Sequence, residues 1–477
     1  MKQQRFRFRV MAFLLIALLL LAGAYGVYSV STYGSRWFGS SYNTRYRAAK
    51  KTVIPGDILD RNGVVLATAD SEGKRTYPTD WFTRSAMVHV VGDLNGNVAN
   101  TVDSFQASYL WGFETTLEER IEALRSGQKR RGDNVSLTVD SALQTKIAAA
   151  FANMENTTGK AGAAVVMNYQ TGEVLALLSV PTFDPLGSMD SVKNDPQHPF
   201  WNRALQSVQA PGSTFKIITA VSALQNLKDA TSHEFDCSTG ATKIMDQLIR
   251  DYGYEHHGMV SLARAFRVSC NNSFAQAALL IGDKKLRQTA EDFGFNDNFL
   301  FRDLVVENSR YPTAHRNSFE IAWSGVGQSQ VAATPLHMCM ISAAIANDGV
   351  MMEPRLLSRV QSPAGVVRSR TSSRVYRTAC SKETAQILDG YMKDVIQSGT
   401  GTRAKVDGLT IAGKTGSAEG SSNGLDVTHA WFTGYIDSDL YPYAVCVLVE
   451  EGGTGGSVAA PVAQKIFSYL KDNCAVE

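Results

Sequence analysis

The first regime of apolar residues along this chain is an unbroken run from Val10 to about Val30, preceded by Lys2, Arg5, Arg7 and Arg9. About 21 helical residues at 1.5 Å each reach about 31 Å, the thickness of a bilayer core. The leading positive charge predicts that residues 1–9 stay in the cytoplasm and the body lies outside. Ala22-Gly23-Ala24 also suits a signal-peptide cleavage site, but the run continues through Tyr25 to Val30, which favours an uncleaved anchor over residues 10–30. No cysteine lies near Leu20 to Gly26, so a lipoprotein anchor is not expected. Ser31 to Lys51 is polar, aromatic and basic, as in a stalk.

The second regime is short and turn-rich. Asn62-Gly63 separates two short apolar stretches, a hairpin signal. Glu114 to Leu124 has helical spacing with charged faces. Arg131-Gly132-Asp133 reads as a solvated turn leading into a strand, Val135 to Val139, not as an adhesion tripeptide. Then Asp140 precedes a helical stretch from Ser141 to about Met154, an N-cap pattern. The chain changes character here, giving an N-terminal module over 31–137 and a larger domain over 138–477.

The third regime is the larger domain. Ala163 to Asn168 and Glu173 to Ser179 read as strands joined by Tyr169-Gln170-Thr171-Gly172. Ile217 to Leu227 is helical. Leu409 to Gly413, Ala430 to Ile436 and Tyr443 to Val449 read as strands, and Ala459 to Leu470 as a closing helix. Strands at both ends with helices between predict an α+β (mixed α/β) fold, an antiparallel sheet flanked by helices.

Composition narrows the function little. A net charge of +2 makes no electrostatic case for nucleic acid. The six cysteines show no CxxC and no dense framework, and read as mostly free, buried thiols. Gly452-Gly453-Thr454-Gly455-Gly456 lacks the Gly-Lys-Ser/Thr of a phosphate loop and reads as flexible. His256-His257 lacks a metal-binding spacing such as HExxH, so no metal and no cofactor are expected.

Three short motifs carry the chemistry. Ser-x-x-Lys occurs four times, but only Ser213-Thr214-Phe215-Lys216 follows Pro-Gly and opens an apolar helix. Residues three apart share a helix face, so the Lys216 amine can approach the Ser213 hydroxyl. A lysine serves as a base only if its pKa falls, through burial or a second nearby cation such as Lys414. Ser269-Cys270-Asn271 lies between Ser213 and Lys414-Thr415-Gly416-Ser417, the only Lys-Thr-Gly in the chain. Together they describe serine acyl transfer with lysine as proton carrier.

On these motifs the chain resembles the class B penicillin-binding proteins. Ile54 to Ala67 resembles the first box of their N-terminal module, with Pro55-Gly56 in place of the usual Arg-Gly. Gly325-Val326-Gly327-Gln328, with Thr334-Pro335-Leu336 and Asn347-Asp348-Gly349, resembles their segment between the second and third motifs, with Ser329 where Gly is frequent. His429 to Tyr435 resembles the strand after Lys-Thr-Gly, His429 being a structural strand residue. Asn168 and Ser417 stand where an acidic residue and Thr are more usual.

The resemblance implies a peptidoglycan D,D-transpeptidase. Ser213 would be the nucleophile and Lys216 its base. Ser269 and Lys414 would relay protons, and Asn271 would hold the substrate carbonyl or Lys216. The Ser213 and Ser417 N–H groups would form the oxyanion hole. Thr415, Gly416 and Ser417 would bind the substrate, with Lys414 near its carboxylate and Gly416 leaving room for it. Stem peptides, β-lactams, the membrane and a SEDS-type lipid II polymerase are the implied partners. The same motifs also serve D,D-carboxypeptidases and β-lactamases, and a non-catalytic penicillin sensor or scaffold is the remaining alternative.

Overall fold

The computed structural model describes residues 2–38, 48, 52–127, 129–314, 317–422 and 425–476. Helix α1 (Lys2–Phe38) contains an apolar span, Gln4–Val30, with mean hydropathy 2.5 and none of its most apolar window buried. The stalk expected after it lies largely outside the described residues.

The N-terminal module includes β1 (Ile58–Leu59), β2 (Val65–Ala69) and β3 (Arg75–Thr76). Asn62-Gly63 makes the expected turn between β1 and β2, with Gly63 at φ +83° and the Asp60 N–H donating to the Val64 carbonyl (2.9 Å). The charged helix predicted nearby runs from Leu117 to Ser126, and Thr116 and Glu119 close a capping box at its start. Strand β4 (Asn134–Leu137) follows.

Arg131-Gly132-Asp133 is not the solvated turn its polarity suggests. Asp133 is fully buried and its carboxylate is ion-paired with Arg368. A charge at this depth needs a partner, and the partner is 235 residues away in sequence, out of reach of local reading.

The larger domain runs through α2 (Ser141–Asn153), β5 (Gly162–Asn168), β6 (Val174–Val180) and α3 (Lys216–Asn226). Then come α4 (Leu262–Val268), α5 (Asn271–Ile281), α6 (Pro335–Ala346), β7 (Leu357–Gln361), β8 (Val367–Arg370) and α7 (Lys382–Ser398). The chain closes with β9 (Ile411–Ser422), β10 (Leu425–Ile436), β11 (Tyr443–Val449) and α8 (Ala460–Asn473). The β5–β6 turn is held by the Asn168 carboxamide oxygen, which accepts the Gln170 and Thr171 N–H groups (2.9 and 3.0 Å). Asparagine thus supplies the acceptor that an acidic residue would.

The central sheet has the order β9-β10-β11-β5-β6, every neighbouring pair antiparallel. Its inner strands read as apolar runs because both faces are covered. In β11, Ala444, Cys446 and Leu448 join the core beneath α6, while Tyr443, Val445, Val447 and Val449 join the core beneath α2 and α8. The period of two thus divides one strand between two cores. Strand β9 is an edge.

The second sheet has the order β8-β7-β4-β1-β2-β3, so strands from both sides of residue 137 share it. The first box fastens this module to the larger domain. Asp60, buried, accepts the Ser141 hydroxyl (2.7 Å) and N–H (3.2 Å) at the start of α2, and Asn62 donates to Asp140 (3.2 Å).

Candidate active site

The turn that carries Ser213, the candidate nucleophile turn, is a short 3-10 helix, Gly212–Phe215, that runs directly into α3. Ser213 lies in this turn, half-buried, one residue after Gly212 at φ +53°. The helix proper therefore begins at Lys216, and its first turn is buried among Phe215, Ile217 and Ile218.

Close packing of glycines joins this turn to β9. A methyl group on Gly212 would lie 2.9 Å from the Ser417 carbonyl oxygen, and one on Gly416 would lie 2.8 Å from the Pro211 carbonyl oxygen. The space beside Gly416 is thus filled by the nucleophile turn and not left for substrate, the role the sequence suggests. Overpacking typically costs about 1–3 kcal/mol. Gly416→Ala is expected to lower stability by about that amount and to slow penicillin acylation by about tenfold or more, read by thermal melting and labelling rate.

Gly327 supports the turn from behind. Its carbonyl accepts the Gly212 N–H (2.9 Å), and a methyl group on it would lie 2.0 Å from the Gly212 carbonyl oxygen. Ser329 adopts φ +63°, the left-handed conformation that makes glycine frequent there.

Lys-Thr-Gly lies within β9, which continues past the apolar stretch to Ser422. Lys414 and Lys216 are both fully buried, and their amines meet at Ser269. The Lys414 amine donates to the Ser269 hydroxyl (2.8 Å) and the Thr415 carbonyl (3.0 Å). The Lys216 amine donates to the Ser269 carbonyl (2.6 Å), the Ser269 hydroxyl (3.3 Å) and the Asn271 carboxamide oxygen (2.8 Å). Among the described hydrogen bonds none joins Lys216 to Ser213, so the approach expected from i,i+3 spacing is not made in the free enzyme. Catalytic contacts of this kind often close only on the substrate complex.

Two ammonium groups around one hydroxyl in a dry site repel each other. Burial lowers the Lys216 pKa to about 8, partly offset by Cys270, Asp251 and Cys237. Burial and then the Lys216 charge hold Lys414 well below the usual lysine range. Lysine-based proton transfer near neutral pH needs these shifts.

Ser269 ends α4 at φ +63°, and Cys270 caps α5, its sulfur accepting the Ser273 N–H (3.3 Å). Beneath this corner lies Asp251, which sequence reading missed. Its carboxylate accepts the Asn271 N–H, the Asn272 N–H (3.3 Å) and the Asn272 carboxamide (2.9 Å). Asp251, His257 and Cys270 each offer one ligand atom, all within 4.8 Å of one another, so together they can hold a metal ion. These groups come from separate segments, so spacing along the sequence does not bring them together.

Two more segments reach the site. The glycine-rich loop is packed, not free. A methyl group on Gly455 would lie 2.3 Å from the Gly416 carbonyl oxygen, and the Gly455 N–H donates to the Ser417 hydroxyl (3.2 Å). Thr400, in the turn after α7, places its hydroxyl 2.5 Å from that of Thr415. His429 accepts the Glu451 N–H (3.2 Å) from within β10, as a structural strand residue does. All six cysteines are free and five are buried.

Comparisons with known proteins agree with this geometry. Residues 162–468 match the penicillin binding protein transpeptidase domain. The chain is 30% identical over 436 residues to the peptidoglycan D,D-transpeptidase PbpA of Mycolicibacterium smegmatis, covering 86% of this chain and 87% of that one. It is 31% identical over 377 residues to PbpA of Mycobacterium tuberculosis, covering 73% and 74% of the two chains. Penicillin-binding protein A of M. tuberculosis, solved as a ceftriaxone acyl-enzyme complex, superposes with a TM-score of 0.80 at 27% identity, over 88% of this chain and 98% of that one. The D,D-transpeptidase domain of an Eggerthella lenta peptidoglycan glycosyltransferase gives 0.75 at 29% identity, over 89% and 99%. With its lysine-centred serine site, N-terminal module and apolar N-terminal helix, the chain belongs to the penicillin-binding protein transpeptidase family as a class B member.

Proposed function

We propose that this chain is a peptidoglycan D,D-transpeptidase that is acylated on Ser213, by stem peptides in turnover and by β-lactams in inhibition. The observation that carries this reading is the meeting of Lys216 and Lys414 at Ser269, beside the nucleophile turn and an open strand edge. Strand β9 suits an extended peptide, which would pair with its free edge.

In the first half-reaction Ser213 Oγ attacks the carbonyl carbon of the penultimate D-Ala and gives its proton to Lys216. The Ser213 and Ser417 N–H groups stabilise the oxyanion. The C–N bond breaks, and terminal D-Ala leaves with a proton delivered through Ser269 and Lys414. In the second half an amine of a neighbouring stem attacks the acyl carbon, the ester bond to Ser213 Oγ breaks, and the proton lost by the amine passes to Ser213 Oγ. Asn271 holds Lys216 in place throughout. The reaction needs no cofactor.

The chain is proposed to sit in the bacterial cell membrane by α1, with residues 1–9 in the cytoplasm and the catalytic domain outside. Residues 31–137 are the proposed pedestal module, its sheet completed by β7 and β8, and 138–477 the proposed transpeptidase domain. A SEDS-type lipid II polymerase is the proposed partner, met through the anchor and pedestal.

A time course of fluorescent penicillin labelling tests the activity. A stable label is expected; a label cleared within seconds would favour a carboxypeptidase or β-lactamase. The acylation rate is expected to rise with pH and level off above about pH 8, because the base is the neutral form of Lys216. A rate that falls across that range would remove Lys216 from the role.

A further inference from the structure

Lys414 is poorly placed to neutralise a substrate carboxylate. Its amine faces the Ser269 hydroxyl and the Thr415 carbonyl, and burial drives it toward the neutral form. The donor peptide ends in a carboxylate, and penicillins carry one as well. A positive charge for that group would then come from another residue.

Thr400 and Arg267 offer what is missing. Thr415 is buried while Thr400 is exposed, so their hydroxyl pair leads from β9 to solvent. The turn Gly399-Thr400-Gly401 is held on several sides. The Thr400 N–H donates to the Arg267 carbonyl (3.4 Å) and the Gly401 N–H to the Val395 carbonyl (3.1 Å). A methyl group on Gly456 would lie 2.7 Å from the Thr400 carbonyl oxygen.

Arg267 is in the last turn of α4, two residues before Ser269. Its side-chain stem packs on the same turn, since a methyl group on Gly399 would lie 3.0 Å from its Cγ. Its Nε is buried and has no hydrogen-bond partner among the described residues. A buried donor without an acceptor calls for an explanation. Guanidinium stays charged at every relevant pH and is shaped to hold carboxylates.

We propose that Arg267 and Thr400 complete, with Thr415 and Ser417, a receptor for the terminal carboxylate of the donor peptide. They set the preference for a free carboxy-terminal end. This rests on the transpeptidase reading above.

The test uses the full chain in detergent micelles and two thiolester acyl donors. One has a carboxylate in the place of the terminal D-Ala carboxylate; the other is its primary amide. Wild type is expected to favour the carboxylate donor. In Arg267→Gln that preference falls by roughly 10- to 100-fold, the scale of a hydrogen bond to a charged group. In Thr400→Val it falls about threefold, a neutral hydroxyl contact being weaker. An unchanged preference in both variants, or an equal fall for both donors, overturns the proposal. Thr400 is exposed, so its variant keeps the test decisive if Arg267→Gln melts early. A wild type that penicillin does not label would overturn the transpeptidase reading itself, and this inference with it.

Discussion

Ser213→Ala is expected to abolish covalent labelling by penicillin while leaving the melting temperature close to that of wild type. The hydroxyl is half-buried and makes no described hydrogen bond, so its loss removes no structural contact. Alanine keeps the Cβ, and the neighbouring Gly212 and Gly416 keep the turn seated on β9. The thiol inside the second motif is not placed to substitute. The free thiol nearest in sequence to the second motif, Cys270, is fully buried and is engaged with Cys237 and Asp251. The Cys237 contact, then burial and the Asp251 charge, push its thiol well above the ordinary range, away from the reactive thiolate. Intact-protein mass spectrometry after penicillin treatment checks the result: one adduct on wild type, none on the variant. An adduct of equal yield on Ser213→Ala would remove this serine from the chemistry.

The second large effect is expected at Lys216. Lys216→Ala removes the proposed base and leaves the Ser269 carbonyl and the Asn271 carboxamide facing a cavity. General-base catalysis contributes typically about 10²–10⁴-fold, so acylation should slow by about that factor. Stability should fall as well, because two part-buried acceptors lose their donor. Lys216→Arg separates the two effects. Guanidinium keeps a cation and donors but does not release a proton in this pH range. It is expected to stay as inactive as alanine and to lose the rise of rate with pH through about 8. Acylation by Lys216→Arg at near wild-type rate would show that the amine serves only as a fixed charge.

These expectations also show which parts of the site the sequence makes legible. Ser213 and Lys216 are three residues apart on one turn, and Lys414 to Ser417 lie on one strand. Each is a local pattern, and local backbone geometry fixes the face it presents. The same holds for the Asp140 cap of α2, the Asn62-Gly63 turn and the apolar span of α1. Periodicity of two or 3.6 is enough to infer such elements.

Tertiary structure decided the rest. Nothing in the local spacing shows that Asp251 would cradle Asn271, that Gly455 would press on Gly416, or that Thr400 would meet Thr415. Nor does it show that the Lys216 amine turns toward Ser269 and Asn271, or that β7 and β8 complete the N-terminal sheet. The sequence by itself determined the fold class and the reaction type and singled out the candidate reacting groups, because each is written in neighbouring residues. Which distant loops converge on those groups, and how far burial shifts the two lysines, depends on how the whole chain packs, and so became visible only in the fold.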